Sequence, residues 1–183
     1  GSVQVVEEYW GGLMSGGKSL SSVQRARASI SSFFNYLQAE GEIKGNPARG
    51  VHLKPGKKKM PQTLSTLEVE RLLAAPDMSS QKGVRDKAML EIMYATGIKV
   101  TELIMLDVED VNVQLHFLKC QSDKGERMVP LYPEAVAALK DYIKNVRPLM
   151  LRGSSEKSLF VNLNGSRLTR QGLWKVLRAC AEK

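Results

Sequence analysis

An α+β fold, mainly helical with one small antiparallel sheet, is predicted by three features of this 183-residue chain. Apolar residues recur at helical spacing over residues 20–39. Helix start and stop signals punctuate residues 65–105 and again the stretch after Pro133. Between them, hydrophobic alternation takes over across residues 111–131. With 43% apolar residues the chain has enough to bury an ordinary core.

The first helix is read from Val23, Ala26, Ile30, Phe33, Phe34 and Leu37, which form one apolar stripe, with Gly41 placed to end it. Its other face carries Arg25, Ser29 and Ser32 on one line and Gln24, Arg27 and Ser31 on the next. Small hydroxyls between arginines let a helix approach a phosphate backbone closely, although a plain solvent face gives the same pattern. The stretch "EGEIKGNPARGVHLKPGKKKMPQ" follows, with three prolines and four glycines, and reads as an interdomain linker. The boundary is placed near Pro55–Pro61, giving a helical domain over residues 1–54, a basic linker over 55–64 and a second domain over 65–183.

The second domain opens with "STLE" at Ser65–Glu68, a capping box ahead of Val69, Leu72 and Leu73, with Pro76 closing a short helix. A helix over about Arg85–Thr96 offers Ala88, Met89, Ile92 and Met93 to a core, Gly97 supplies a left-handed cap, and a short helix carries Thr101–Met105. Strands are then expected at Val111–Leu115, at Phe117–Leu118 and at Met128–Leu131, around the turn "SDKGE". Pro133 suits a first helical position, with Val136, Leu139 and Ile143 inward and Pro148 beyond the helix end. A short strand, an Asn164-Gly165 turn and a helix capped by Thr169 finish the chain.

Charge and motifs narrow the function classes. Net charge is +8, and Lys44, Arg49, Lys54, Lys57, Lys58 and Lys59 form a run free of acids. Such a balance favours a polyanionic partner, and the run suits either a solvated linker or a strap along phosphates. Cys120 and Cys180 lack CxxC spacing, and His52 and His116 are isolated, so no metal site is expected. The cysteine usage fits a reduced, cytoplasmic compartment, and no apolar run reaches the roughly 18 residues of a membrane span. Gly1-Ser2 reads as an appended dipeptide rather than a native start. Walker, Rossmann, zinc-protease and serine-hydrolase signatures are missing from the sequence. What stands out is a set of basic groups at turns: Lys99 after a helix cap, Lys124 in the hairpin and Arg170 in the first turn of the last helix. Groups held at turns on a rigid scaffold suit an anion, and their spread along the chain suits a long one.

These residues carry a resemblance. "YATGIKVTELIMLDVEDVNVQ", "KGERMVPLYPEAVAALKDYI" and "LFVNLNGSRLTRQGLWKVLR" resemble the first half of a tyrosine recombinase (phage integrase) catalytic domain, nearest to the Xer type. "SLSSVQRARASISSFFNYLQAEGEIKGNPA" resembles the end of that family's helical core-binding domain. The resemblance implies DNA strand breakage and rejoining through a 3′-phosphotyrosine, with no metal or nucleotide cofactor. It assigns Lys99 and Lys124 to catalysis, the first on the scissile phosphate and the second as general acid for the leaving 5′ oxygen, with Lys119 the alternative. It assigns DNA contacts to Arg25 and Arg27, to Lys57, Lys58 and Lys59, to Arg127, and to Thr169, Arg170 and Gln171. For Arg127, bracing of the hairpin is the open alternative. The partner implied is double-stranded DNA, on which the longer protein would be tetrameric, with this chain alone a monomer and no membrane involved.

Three departures accompany the resemblance. Lys99 in "GIKVTEL" stands where the family's "GLRVSEL" has arginine, and an ammonium lacks the planar fork that grips two phosphate oxygens. Glu102, three residues on, is placed to orient Lys99 or to form an ordinary exposed ion pair with it. The hairpin "QSDKGER" is offset from the family's "GKGNKER". The chain also stops before the HxxR block and the nucleophilic tyrosine: Tyr9, Tyr36, Tyr94, Tyr132 and Tyr142 all precede that place, and Tyr94 and Tyr142 lie on helical stripes that suit a core. A catalytically silent DNA-binding relative is therefore the alternative function.

Overall fold

The computed structural model describes residues 2–50, 62–122 and 125–183. The cations Lys57, Lys58, Lys59 and Lys124 lie outside the described residues. The chain forms two compact units, Gly1–Gln62 and Thr63–Lys183.

In the first unit, helices α1 (Ser2–Ser15) and α2 (Leu20–Ala39) pack together around Val6, Trp10, Val23 and Ala48. Ser19 caps α2 by accepting from the Ser22 N–H, and Gly41, at a φ of 79°, turns the chain away at its end. The following loop is tied back by Asn46, whose amide donates to the Ser31 carbonyl at 3.0 Å and to Asn35 at 2.8 Å. The expected apolar stripe is only partly inward: Phe34 packs on this core, whereas Phe33 is 57% exposed. Periodicity defines a stripe about three residues wide, and two helices cover only its centre.

The second unit is built around α4 (Gln81–Thr96), four residues longer at its start than the periodicity suggested. The difference lies in Ser80, which caps the helix by accepting from the Gly83 N–H at 3.0 Å. The capping box of α3 (Thr66–Ala74) forms as expected, with Ser65 and Glu68 satisfying each other's backbone N–H. Gly97, at a φ of 58°, closes α4 and leads into α5 (Val100–Met105).

Three strands follow as one antiparallel sheet: β1 (Val111–Asn112), β2 (Phe117–Ser122) and β3 (Gly125–Pro130). The register pairs Cys120 with Arg127 and Leu118 with Val129, so these four share one face, and Leu118 and Cys120 are fully buried there. The first strand stops two residues in, against the expected run to Leu115, because Asn112 accepts from the N–H groups of Gln114 and Leu115 and curls the chain into a turn.

Helix α6 (Pro133–Asp141) begins on its proline, but Pro148 does not follow the helix end. The chain instead widens into a π turn over Tyr142–Val146 and continues as α7 (Arg147–Leu151), with Pro148 inside it. A proline lacks the N–H of an ordinary helical turn and its ring presses on the carbonyl four residues back, here that of Lys144; a wide turn relieves both. The expected strand near Leu159–Val161 forms only isolated bridges, Val161 with Arg167 and Ser158 with Asp107. Gly165, at a φ of 76°, makes the turn between them, and a side chain there would meet the Leu151 carbonyl at 3.0 Å. Thr169 then caps α8 (Arg170–Ala181). Tyr142 is fully buried, as its stripe suggested, but Tyr94 is 59% exposed and lies edge-on to Tyr132. No described helix is long and apolar enough to cross a membrane.

Candidate functional site

The site is organised by one carboxylate. Glu102 sits at the third position of α5 and is buried, and it accepts from the Lys99 backbone N–H at 3.0 Å. From β3, Arg127 brings its guanidinium across, with Nη1 on Oε1 at 2.8 Å and Nη2 on Oε2 at 2.9 Å. This two-point fork ties the hairpin to the start of α5. Sequence spacing had offered Glu102 as a partner for the Lys99 side chain; its actual hold is on the Lys99 backbone. Among the described residues, the Lys99 ammonium makes no hydrogen bond or ion pair and is exposed.

Arg127's hydrogen bonds and the Lys99 N–H hold the Glu102 carboxyl down to about 2, against an ordinary 4.5. A depressed carboxylate contributes stability that is complete above its unfolded value and is lost as pH falls towards its folded one. Thermal melting is therefore expected to lose part of its midpoint as pH drops from about 4.5 towards about 2. Glu102→Gln, which cannot titrate, is expected to flatten that part of the profile; an identical profile in the variant would contradict the assignment.

Lys119 is differently placed. It lies on the other face of β2, where its ammonium pairs with Glu126 at 2.9 Å, and that hydrogen bond raises its pKa, with Asp110 and Glu109 adding to the effect. A lysine held charged by acids is a poor proton donor at neutral pH. The depression beside it, lined by Glu102, Asp107, Glu109 and Asp110 among others, is acidic and repels a phosphate.

Helix α5 packs against α8, and Val100, next to Lys99, faces Arg170, Gln171 and Trp174 across a groove of about 560 Å³. Thr169 accepts from the Gly172 N–H at 3.0 Å and so spends its hydroxyl on the cap, while Arg170 and Gln171 are exposed. The N-terminus of α8, with its partial positive charge, therefore opens beside Val100, the residue after Lys99. In the first unit Arg25, Ser29 and Ser32 are exposed along α2, but the neighbouring line is closed off at Ser31 by Asn46, and Arg27 is half-buried.

Several charged residues that position this corner gave no sequence signal. Arg167 donates to the Ile104 carbonyl at 2.9 Å and pairs with Asp107, clamping the end of α5 as Arg127 clamps its start. Arg85 and Asp86, both buried, link α4 to the Val161 carbonyl, and buried Arg147 donates to the carbonyls of Glu156, Ser158 and Leu159. Tyr132 donates to Glu91, and burial together with that carboxylate pushes its pKa up. Among the described residues no group of three His, Cys, Asp or Glu is arranged to hold a metal ion.

Comparison with known proteins agrees with this architecture. The model of the phage integrase family matches residues 62–183. The tyrosine recombinase XerD of Staphylococcus epidermidis (strain RP62A) is 39% identical over 177 residues, covering 96% of this chain and 60% of that protein. XerC of Herpetosiphon aurantiacus is 39% identical over 165 residues, covering 89% of the chain and 54% of the relative. The chain thus spans little more than half the length of the curated relatives it matches. Among solved structures, a XerA recombinase aligns with a TM-score of 0.60 at 24% identity, over 98% of this chain and 60% of that one. A lambda integrase dimer bound to a COC′ core site aligns with a TM-score of 0.73 at 17% identity, over 98% and 62%. At those identities the structural likeness is one of fold, and it is the family model that carries the assignment: the chain belongs to the phage integrase family, the tyrosine recombinases.

Proposed function

We propose that this chain supplies the DNA grip and the first half of the active site of a site-specific recombinase, which exchanges strands through a 3′-phosphotyrosine. The single observation that carries the reading is the exposed Lys99, whose ammonium has no partner among the described residues and whose backbone Glu102 and Arg127 fix in place, one residue before the groove at the start of α8. In the reaction, a tyrosine oxygen outside this chain attacks the scissile phosphorus and the bond to the 5′ oxygen breaks. Lys99 stabilises the charge on the non-bridging oxygens, and Lys124 gives its proton to the leaving oxygen. The pairing of Lys119 with Glu126 supports Lys124 for that role, because it holds the Lys119 ammonium on a carboxylate and raises its pKa. Arg127, whose fork Glu102 occupies, acts by positioning the hairpin rather than by touching DNA.

Arg25 on α2, with Arg27 beside it, the linker lysines Lys57, Lys58 and Lys59, and Thr169, Arg170 and Gln171 on α8 would track the duplex backbone. The chain alone is a monomer in this reading, and the longer protein assembles as a tetramer on two synapsed sites. Lys99 in place of arginine favours one second reading, a DNA-binding relative with weakened or lost cleavage. The test is binding to a fluorescently labelled duplex at low salt, followed by incubation with a nicked one. Binding without any covalent adduct is expected. Failure to bind any duplex would contradict the DNA reading, and a denaturation-resistant phosphotyrosyl complex would contradict the absence of a nucleophile from this chain.

A further inference from the structure

The exposed face of α8 carries a large aromatic residue to which the site so far gives no role. Trp174 is 66% exposed, whereas Trp10, the other tryptophan, is buried. Arg170 precedes it by one helical turn and Arg178 follows by one, with Lys175 alongside, all exposed. No acidic residue occurs between Arg170 and Ala181; the first is Glu182, already paired with Arg178. Trp174 and Leu177 line the groove that Val100, Arg170 and Gln171 complete. An aromatic left in water inside a patch of this kind marks a contact surface.

Charge decides the partner. The tryptophan is framed by cations on its own helix, stands one turn from the positive end of that helix and shares a groove with the neighbour of Lys99. A second copy of the same surface would bring like charges together. A nucleic acid strand offers the complement, because its anionic phosphates alternate with apolar sugar edges. We propose that Trp174 packs against deoxyribose carbons of the strand whose phosphates Lys99 and Arg170 hold, an inference that rests on the DNA-binding reading above. Such a contact is indifferent to base identity and adds affinity that salt does not remove.

The test uses the full chain and a labelled duplex. Trp174→Ala is expected to weaken binding about tenfold, the equivalent of roughly 1.4 kcal/mol of lost apolar burial, while the salt dependence keeps its slope. Trp174→Phe should keep most of the affinity. The emission of Trp174, taken as the difference between the wild type and Trp174→Phe, should become protected from acrylamide when duplex is added. Binding with no protection and no loss in Trp174→Ala would overturn the inference and leave the DNA-binding reading standing; absence of binding to any duplex would remove both. Protection that grows with protein concentration in the absence of DNA would assign the face to contacts between copies and would also overturn it.

Discussion

Raising salt from about 50 to about 200 mM should weaken duplex binding by roughly four orders of magnitude. Each phosphate neutralised by a lysine or arginine releases condensed counterion, so log affinity falls with log salt at about 0.9 per contact. The cations proposed to lie against phosphates are Arg25, Arg27, Lys57, Lys58, Lys59, Lys99 and Arg170, with Lys124 at the leaving 5′ oxygen. If all engage, the slope is about −7, and a fourfold rise in salt costs about 10⁴ in affinity. Fluorescence anisotropy across a salt series measures it directly. A slope near zero would mean that the +8 net charge is a solubility feature and that the basic faces are merely solvated.

Removing the Asp86 carboxylate should destabilise the second unit by about 3–5 kcal/mol. Arg85 donates to it through Nε at 3.0 Å and Nη2 at 2.7 Å, and both side chains are 3% exposed. Among the described residues, Asp86→Ala would leave a buried guanidinium with only the Val161 carbonyl as a partner. The cost is therefore mainly that of a stranded charge and not of one hydrogen bond. For a unit of this size the melting midpoint should fall by roughly 10–20 °C. Lys82 also reaches Asp86, but it is half exposed, so Lys82→Ala should cost no more than about 1 kcal/mol. Equal effects of the two changes, followed by circular dichroism melting, would contradict the burial argument.

The contrast between Arg85 and Lys99 shows what the sequence could reveal. Lys99 was legible because its setting is local: a glycine in the left-handed region closes one helix and the next begins three residues later. The same holds for the Ser65–Glu68 capping box, the Thr169 cap and the Gly165 turn, each specified within five residues. Arg85, Arg147 and Arg167 were not legible as structural charges, because each also donates to a backbone carbonyl brought close only by the fold: Val161, Ser158 and Ile104 respectively. Glu102 and Arg127 were each singled out, but their pairing depends on the fold bringing β3 within side-chain reach of α5. Tyr94 and Phe33 were misplaced for a different reason: periodicity marks an apolar stripe but not how much of it a neighbour covers. Helix α1 gave no clear signal either, with Gly11 and Gly12 interrupting its pattern.

Lys99 is the corner on which the functional account turns, and its own contribution to the salt slope tests it most directly. Lys99→Ala should bind duplex more weakly and with a slope shallower by about 0.9, the loss of one phosphate contact, regardless of duplex sequence. Lys140, exposed on α6, serves as the control and should leave both quantities unchanged when replaced by alanine. If Lys99→Ala matches the wild type in affinity and slope, Lys99 holds no phosphate and the proposed corner is not part of the DNA site.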